Sequence, residues 1–323
     1  MTQRYLRPDE LPPSLWDPGN RVLRLPPELA EAYRNVLSAR GLEELAHKRS
    51  ESPVGGLTKE QAEEHFAQAF DGSVARIELA LLDPLGKVPH ISDSLVRVFA
   101  GGCIALLDIP SGAGALSLGL LCAIAELRAK GVLPRERLDV AIVCGELSEH
   151  ARAIAAELFG ALTSQLQDQA IFLEVHQLHW DACDKLSTTD LVKRFTVASA
   201  SSTKKQVAVS NFTGALSREG KLKKAKPQIE EIFRYALGAN SGAIWIEPNT
   251  NSATSRGGVL VTVVDFLKDQ LGSVIRLVAP PQRTSDDDAI ATTEVTFESA
   301  ISERGRPTVR LAVVRFRLDR GDA

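Results

Sequence analysis

The segment Leu107-Asp108-Ile109-Pro110-Ser111-Gly112-Ala113-Gly114-Ala115 carries the clearest chemical signal in the chain. It follows the apolar run Ile104–Leu107 and precedes a long apolar stretch, Leu116 to Leu127. The order reads as strand, glycine turn, helix. Such a turn lets backbone come close to a ligand at a helix N-terminus, where unpaired N–H groups point outward. A second apolar run, Val140–Cys144, ends in Gly145-Glu146-Leu147-Ser148. A carboxylate at the tip of a second strand can accept hydrogen bonds from both hydroxyls of a ribose. Together the two features predict a site for a nucleoside-containing cofactor.

The elements that must hold this site follow a regular rhythm. A short helix, Ser92–Phe99, leads into the strand Ile104–Leu107, whose helix runs about Ala113–Lys130. Helix Glu149–Leu162 follows the second strand. A third strand near Ile171–Leu178 ends at His179-Trp180-Asp181-Ala182, and a fourth is Gln206–Ser210. Helix Gln228–Leu237 leads to a fifth, Ala243–Glu247. Alternation of this kind predicts an α/β fold with a mostly parallel sheet covered on both faces. Two late strands, Val274–Val278 and Val309–Phe316, flank an acidic loop with Asp286-Asp287-Asp288 and suggest an antiparallel hairpin at the sheet edge.

Ahead of the sheet the pattern differs. Residues 1–26 contain Pro8, Pro12, Pro13, Pro18 and Pro26, which argue for an extended, poorly regular arm. A helix is predicted from Pro27 to Leu45, then a capped helix from Thr58 to about Phe70, then an apolar segment, Val74–Leu82. The expected division is an arm with a helical extension over residues 1–88 and a sheet domain over 89–323.

Composition bounds the partners. The 323 residues are 44% hydrophobic and 24% charged, an ordinary globular balance. The net charge of −3 gives no global basic bias, so a nucleic acid would need a local patch. No apolar run reaches membrane length, and the first residues lack the apolar core of a signal peptide, so a cytoplasmic protein is expected. Cys103, Cys122, Cys144 and Cys183 have no metal-knuckle spacing and read as reduced thiols. His176, His179, Asp181 and Cys183 match no standard zinc pattern, and strand alternation sends the two histidines to opposite faces. No metal is expected.

Over roughly residues 90–323 the chain resembles the class I S-adenosylmethionine-dependent methyltransferases. Its D-x-P-x-G-x-G is similar to that family's D-x-G-x-G-x-G, with the second-strand acid at Glu146. Trp180-Asp181-Ala182 looks like the family's acidic-Ala turn, and Val209-Ser210-Asn211-Phe212 occupies its catalytic-face position. Ile246-Glu247-Pro248 resembles the Glu-Pro after strand five, and Glu247-Pro248-Asn249-Thr250 is faintly similar to a ribosomal small-subunit methyltransferase-like group. The resemblance implies a Rossmann-like fold and S-adenosylmethionine as cofactor. It implies cofactor contacts at Asp108, Pro110, Gly112, Gly114, Glu146, Leu147, Asp181 and Ala182. Gly112 and Gly114 would keep side chains off the methionine portion, and Asp108 would organise the turn. Glu146 would take the ribose, Leu147 the adenine face, and Asp181 and Ala182 the adenine edge. Ser210, Asn211 and Phe212 would touch the acceptor. Pro110 departs from the pattern by replacing the first glycine, which fixes φ and removes a donor.

RNA is the favoured acceptor, through the basic segment Arg218, Lys221, Lys223, Lys224 and Lys226. The N-terminal helices could meet a protein partner. Two other readings compete. One is a methyltransferase-like cofactor-binding or scaffolding subunit without turnover. The other is a nicotinamide-dependent oxidoreductase, against which stand the long interval before Glu146 and Ser117 at the last glycine position of that motif.

Overall fold

The computed structural model describes residues 4–48, 56–249 and 290–318. In chain order the elements are β1 (Trp16–Asp17), β2 (Val22–Arg24), α1 (Pro27–Arg40), α2 (Glu43–His47), α3 (Lys59–Leu82), α4 (Pro89–Phe99), β3 (Gly102–Ile109), α5 (Ala115–Ala129), β4 (Leu138–Glu146), α6 (Glu149–Asp168), β5 (Ile171–His179), α7 (Lys185–Ala198), β6 (Lys204–Ser210), α8 (Thr213–Arg218), α9 (Leu222–Ala236), β7 (Ser241–Pro248), β8 (Ile290–Glu298) and β9 (Thr308–Arg317). Among the described residues these strands form one sheet in the order β1-β2-β8-β9-β7-β6-β3-β4-β5. Strands β5, β4, β3, β6 and β7 are parallel neighbours. β9 runs antiparallel to both β7 and β8. This is a Rossmann-like, mostly parallel sheet with antiparallel strands on one side, as the sequence pattern predicts; the late hairpin β8–β9 lies inside the sheet, because β2 and β1 pair beyond β8.

Alternation along β3 shows how the sheet is sandwiched. Ile104 and Leu106 face a core shared with α1 and α3–α6, while Ala105, Leu107 and Ile109 face a second core against α7 and α9. Both faces are therefore apolar, which is why the central strands read as near-continuous hydrophobic runs.

The front of the chain departs from expectation. α1 stops at Arg40 because Gly41 takes a left-handed conformation (φ 65°) and its N–H caps Leu37 and Ser38. The segments expected separately up to Phe70 and over Val74–Leu82 are one helix, α3, opened by a Thr58–Gln61 capping box. The proline-rich arm supplies β1 and β2, and β2 pairs in parallel with β8. Side chains from Leu6 to Leu82 join the same core as β3 and β9.

The late hairpin forms with a different partner from the one predicted. β9 matches the expected late strand, but its mate is β8 at Ile290–Glu298. The expected strand Val274–Val278 and the Asp286-Asp287-Asp288 loop lie outside the described residues. β8 escaped the sequence reading because only alternate positions, such as Val295 and Phe297, are apolar and buried. Among the described residues no helix is long and apolar enough to cross a membrane.

Candidate functional site

The chain lays β3, β4 and β5 outward in one direction, then returns to place β6 and β7 on the other side of β3. Loops leaving β3 and β6 therefore diverge, and a crevice opens beyond their carboxyl ends. A cleft of about 520 Å³ lies there, within the range of about 300–1,000 Å³ usual for small-molecule sites. Strands are spaced about 4.8 Å apart, so from the tip of β4 to the tip of β7 the cleft crosses three spacings, about 14 Å.

The glycine turn forms one wall. Pro110, Ser111, Gly112 and Ala113 line the cleft, and the Ile109–Pro110 peptide is cis. Gly112 has φ 52°, and a Cβ built on it would meet nothing within 4 Å. The turn is thus open to a ligand at that residue, as a close-approach role requires. The Gly112 N–H donates to Glu146 Oε2 at 2.9 Å, and the Ser148 N–H donates to Glu146 Oε1 at 2.9 Å. The carboxylate is pinned between the loops after β3 and β4. Each of its oxygens has a second lone pair with which to accept a hydroxyl. Burial pushes the Glu146 pKa up, and the Ser148 and Gly112 N–H groups pull the other way.

Asp108 and Gly114 stand behind the wall. Asp108 is fully buried, and its Oδ2 accepts from Ser117 Oγ at 2.6 Å and from the Ser117 N–H at 3.3 Å. It ties the strand end to the first turn of α5, and burial raises its pKa to about 7. Ser117, where the dinucleotide motif would have glycine, is therefore the partner Asp108 needs. Gly114 also has positive φ (82°), but a Cβ there would stand 3.2 Å from the Phe159 ring and 3.3 Å from Leu118. Its lack of a side chain serves the α5–α6 packing, not the cleft surface.

Leu147, Asp181 and Ala182 all line the end near β4 and β5. Asp181 Oδ1 accepts from the Cys183 N–H at 2.8 Å, which fixes the turn. Trp180 beneath it is buried, and its indole N–H donates to Thr188 Oγ1 at 3.1 Å. Its ring begins an aromatic row: Trp180 to Phe212 is 5.7 Å between centroids, and Phe212 to Trp245 is 6.3 Å.

Ser210, Asn211 and Phe212 line the opposite end. Asn211 sits at φ 55°, a left-handed position that asparagine tolerates. Glu247 lies beside them, 2% exposed. One oxygen, Oε1, accepts from the Phe212 N–H (3.0 Å), the Thr213 N–H (2.7 Å) and Trp245 Nε1 (2.8 Å). Burial raises its pKa against those donors.

The sequence reading missed the roof. Ala62, His65, Phe66, Ala69, Phe70, Ser73 and Arg76 of α3 all line the cleft. Their spacing of three and four is one helical stripe, but it shows only if the helix is read through Phe70. Ser73 Oγ accepts from Asn211 Nδ2 at 3.2 Å, and Arg76 donates to Asn211 Oδ1 at 3.4 Å. Desolvation lowers the His65 pKa to about 4, so its imidazole is neutral at ordinary pH.

The basic segment is uneven. Lys221 lines the cleft and pairs with Glu219 at 2.6 Å; Lys226 lies 3.9 Å from Glu230. Lys223 and Lys224 are exposed on α9, and Arg218 ends α8. Lys204, at the far end of β6, donates to the carbonyls of Arg97, Val98 and Gly101. Among the described residues no group of three His, Cys, Asp or Glu side chains could hold a metal ion.

No family model matches the chain, and no curated protein matches it. Solved structures do. A proposed S-adenosyl-L-methionine-dependent methyltransferase from Methanococcus maripaludis is 13% identical with a TM-score of 0.39, covering 85% of this chain and 99% of that one. Precorrin-6y C5,15-methyltransferase from Geobacter metallireducens GS-15 is 12% identical with a TM-score of 0.35, over 69% and 85%. A proposed class I S-adenosylmethionine-dependent methyltransferase from Listeria monocytogenes is 15% identical with a TM-score of 0.34, over 90% and 87%.

Proposed function

We propose that the chain binds S-adenosylmethionine in this cleft and transfers its methyl group to an acceptor that lies under α3. The observation carrying the proposal is the Glu146 carboxylate, held by the Gly112 and Ser148 N–H groups beside an open glycine turn at the point where strand order reverses. A ribose fits the free lone pairs of Glu146, and the adenine fits between Leu147 and the Asp181-Ala182 turn. The methionine portion runs toward Gly112. The cofactor's sulfonium is already a strong electrophile, so the protein's task is positioning and exclusion of water. Ser210 and Asn211 orient the acceptor, and the row Trp180, Phe212, Trp245 keeps the floor dry.

RNA is the acceptor we favour within this reading. Lys223 and Lys224 stand exposed on the first turn of α9, next to Lys221 on the cleft wall. A cytoplasmic setting belongs to the same proposal, supported by four free cysteines, Cys122 and Cys144 buried.

Calorimetry with S-adenosylmethionine, followed by transfer of a labelled methyl group to cellular RNA, protein and metabolite pools, tests the proposal. Binding with transfer is expected. Binding without transfer would favour a cofactor-holding subunit, and no binding at millimolar ligand would remove the reading.

A further inference from the structure

The roof helix leaves one cation without an acidic partner. Arg76 Nη2 donates to Ser73 Oγ at 3.0 Å and to Asn211 Oδ1 at 3.4 Å, and both acceptors are neutral. Among the described residues no carboxylate lies within ion-pair distance of it. Glu247 and Asp71 are the acids whose fields reach it, and neither forms an ion pair with it. Glu247 Oε1 holds three N–H donors. Asp71 accepts from Ser299 Oγ and pairs with Arg304 at 3.3 Å. The neutral His65 adds no charge. The Nε and Nη1 donors of Arg76 have no protein partner among the described residues, and the residue lines the cleft. Burial lowers its pKa to about 10, so the guanidinium stays charged at neutral pH.

Desolvating a charge without a counter-charge costs free energy that an incoming anion restores. A guanidinium with free donors on Nε and Nη1 can give a charge-assisted hydrogen bond from either to an oxygen of a carboxylate or phosphate. Position separates this anion from the cofactor. A nucleoside held by Glu146 at β4 brings its amino-acid end to the turn after β3. Arg76 reaches the loop after β6, on the side toward Glu247.

We propose that Arg76 makes the β6–β7 end of the cleft a subsite for an oxyanion, occupied by the carboxylate or phosphate of the methyl acceptor. The identity of the occupant rests on the methyltransferase reading; the subsite does not.

Inorganic phosphate is titrated by calorimetry, at constant ionic strength, into wild type, Arg76→Met and Arg76→Lys, each saturated with S-adenosylhomocysteine. Saturable binding to wild type is expected, weakened about tenfold or more in Arg76→Met and partly retained in Arg76→Lys, with S-adenosylhomocysteine affinity nearly equal in all three. Arg76→Lys keeps the charge and serves if the methionine variant fails to fold. A short RNA in place of phosphate, showing the same dependence on Arg76, assigns the oxyanion to a nucleotide; phosphate alone showing it assigns a small acid. Equal phosphate affinity in wild type and Arg76→Met overturns the subsite, as does no binding to wild type. Loss of S-adenosylhomocysteine affinity in Arg76→Met, with phosphate competing, overturns the acceptor assignment because Arg76 then serves the cofactor's own carboxylate. If S-adenosylhomocysteine binds none of the proteins while phosphate still depends on Arg76, the methyltransferase reading fails and the subsite stands.

Discussion

Glu78 lies inside the contact between α3 and α5, fully buried, with no hydrogen-bond partner for either carboxyl oxygen among the described residues. The Cys122 thiol on α5 is near enough to feel its charge. Burial alone drives its pKa well above the ordinary 4.5, so the folded protein keeps a proton that the unfolded chain releases. The sign follows from that difference. Below about pH 4.5 both states are protonated and there is no penalty. Above it the unfolded state gains by ionising, and stability falls by about 1.4 kcal/mol per pH unit until the folded carboxyl ionises too. Glu78→Gln keeps the shape and removes the proton. Its stability relative to wild type should therefore rise by about 1.4 kcal/mol between pH 5 and pH 6, and again by pH 7 while the folded acid stays neutral. Against a total of roughly 5–15 kcal/mol, that change is easily measured by urea unfolding followed by circular dichroism. Asp108 and Glu247 titrate in both proteins and cancel in the difference. Glu78→Met should add a pH-independent gain of about 1–3 kcal/mol, because two unsatisfied polar atoms are removed. A wild-type-to-glutamine difference that stays flat from pH 5 to pH 7 would refute the reasoning, since it would mean the carboxyl is ionised in the fold.

Removing the pinned carboxylate in Glu146→Ala should weaken S-adenosylmethionine binding about tenfold or more by calorimetry, through loss of a charged acceptor; unchanged affinity would take Glu146 out of the site. The two glycines should separate cleanly. Gly112→Val places a side chain in open cleft space at φ 52°, so cofactor binding should vanish, with strain of about 1–2 kcal/mol. Gly114→Ala meets Phe159 and Leu118, so melting should show a loss of about 1–3 kcal/mol, with cofactor affinity kept in the folded protein. Changing Lys221, Lys223 and Lys224 together to Glu should abolish RNA association in a filter assay and leave cofactor binding intact; the same salt slope as wild type would make the patch mere surface.

Legibility in the sequence tracked how locally each feature is encoded. The runs that became β3 to β7 could be read because strands buried on both faces are apolar throughout. Glu146 stood out because it ends such a run. Other features depend on tertiary context. Gly112 and Gly114 look alike in a motif, yet one opens the cleft and the other accommodates Phe159, a distinction set by α6. Asp108 reads as the organiser of the turn, but its partner there, Ser117, is set by how α5 starts nine positions later. The roof is hidden because Asp71-Gly72-Ser73 interrupts the apolar pattern of α3 and cuts its stripe before Arg76. β8 is inconspicuous because a strand with one exposed face carries half the apolar signal of a central strand.

The pairing of Val22–Arg24 with Thr296–Glu298 has a consequence for how the protein is made. A ribosome that has released β2 must translate more than two hundred further residues before its mate emerges, since Arg24 and Glu298 are 274 positions apart. The clamp on α3 comes later still: Arg304 donates to the carbonyls of Ala46, Ala67 and Gln68. Nascent chains therefore carry a completed glycine turn long before its ceiling is locked, and the roofed cleft is among the last things synthesis produces.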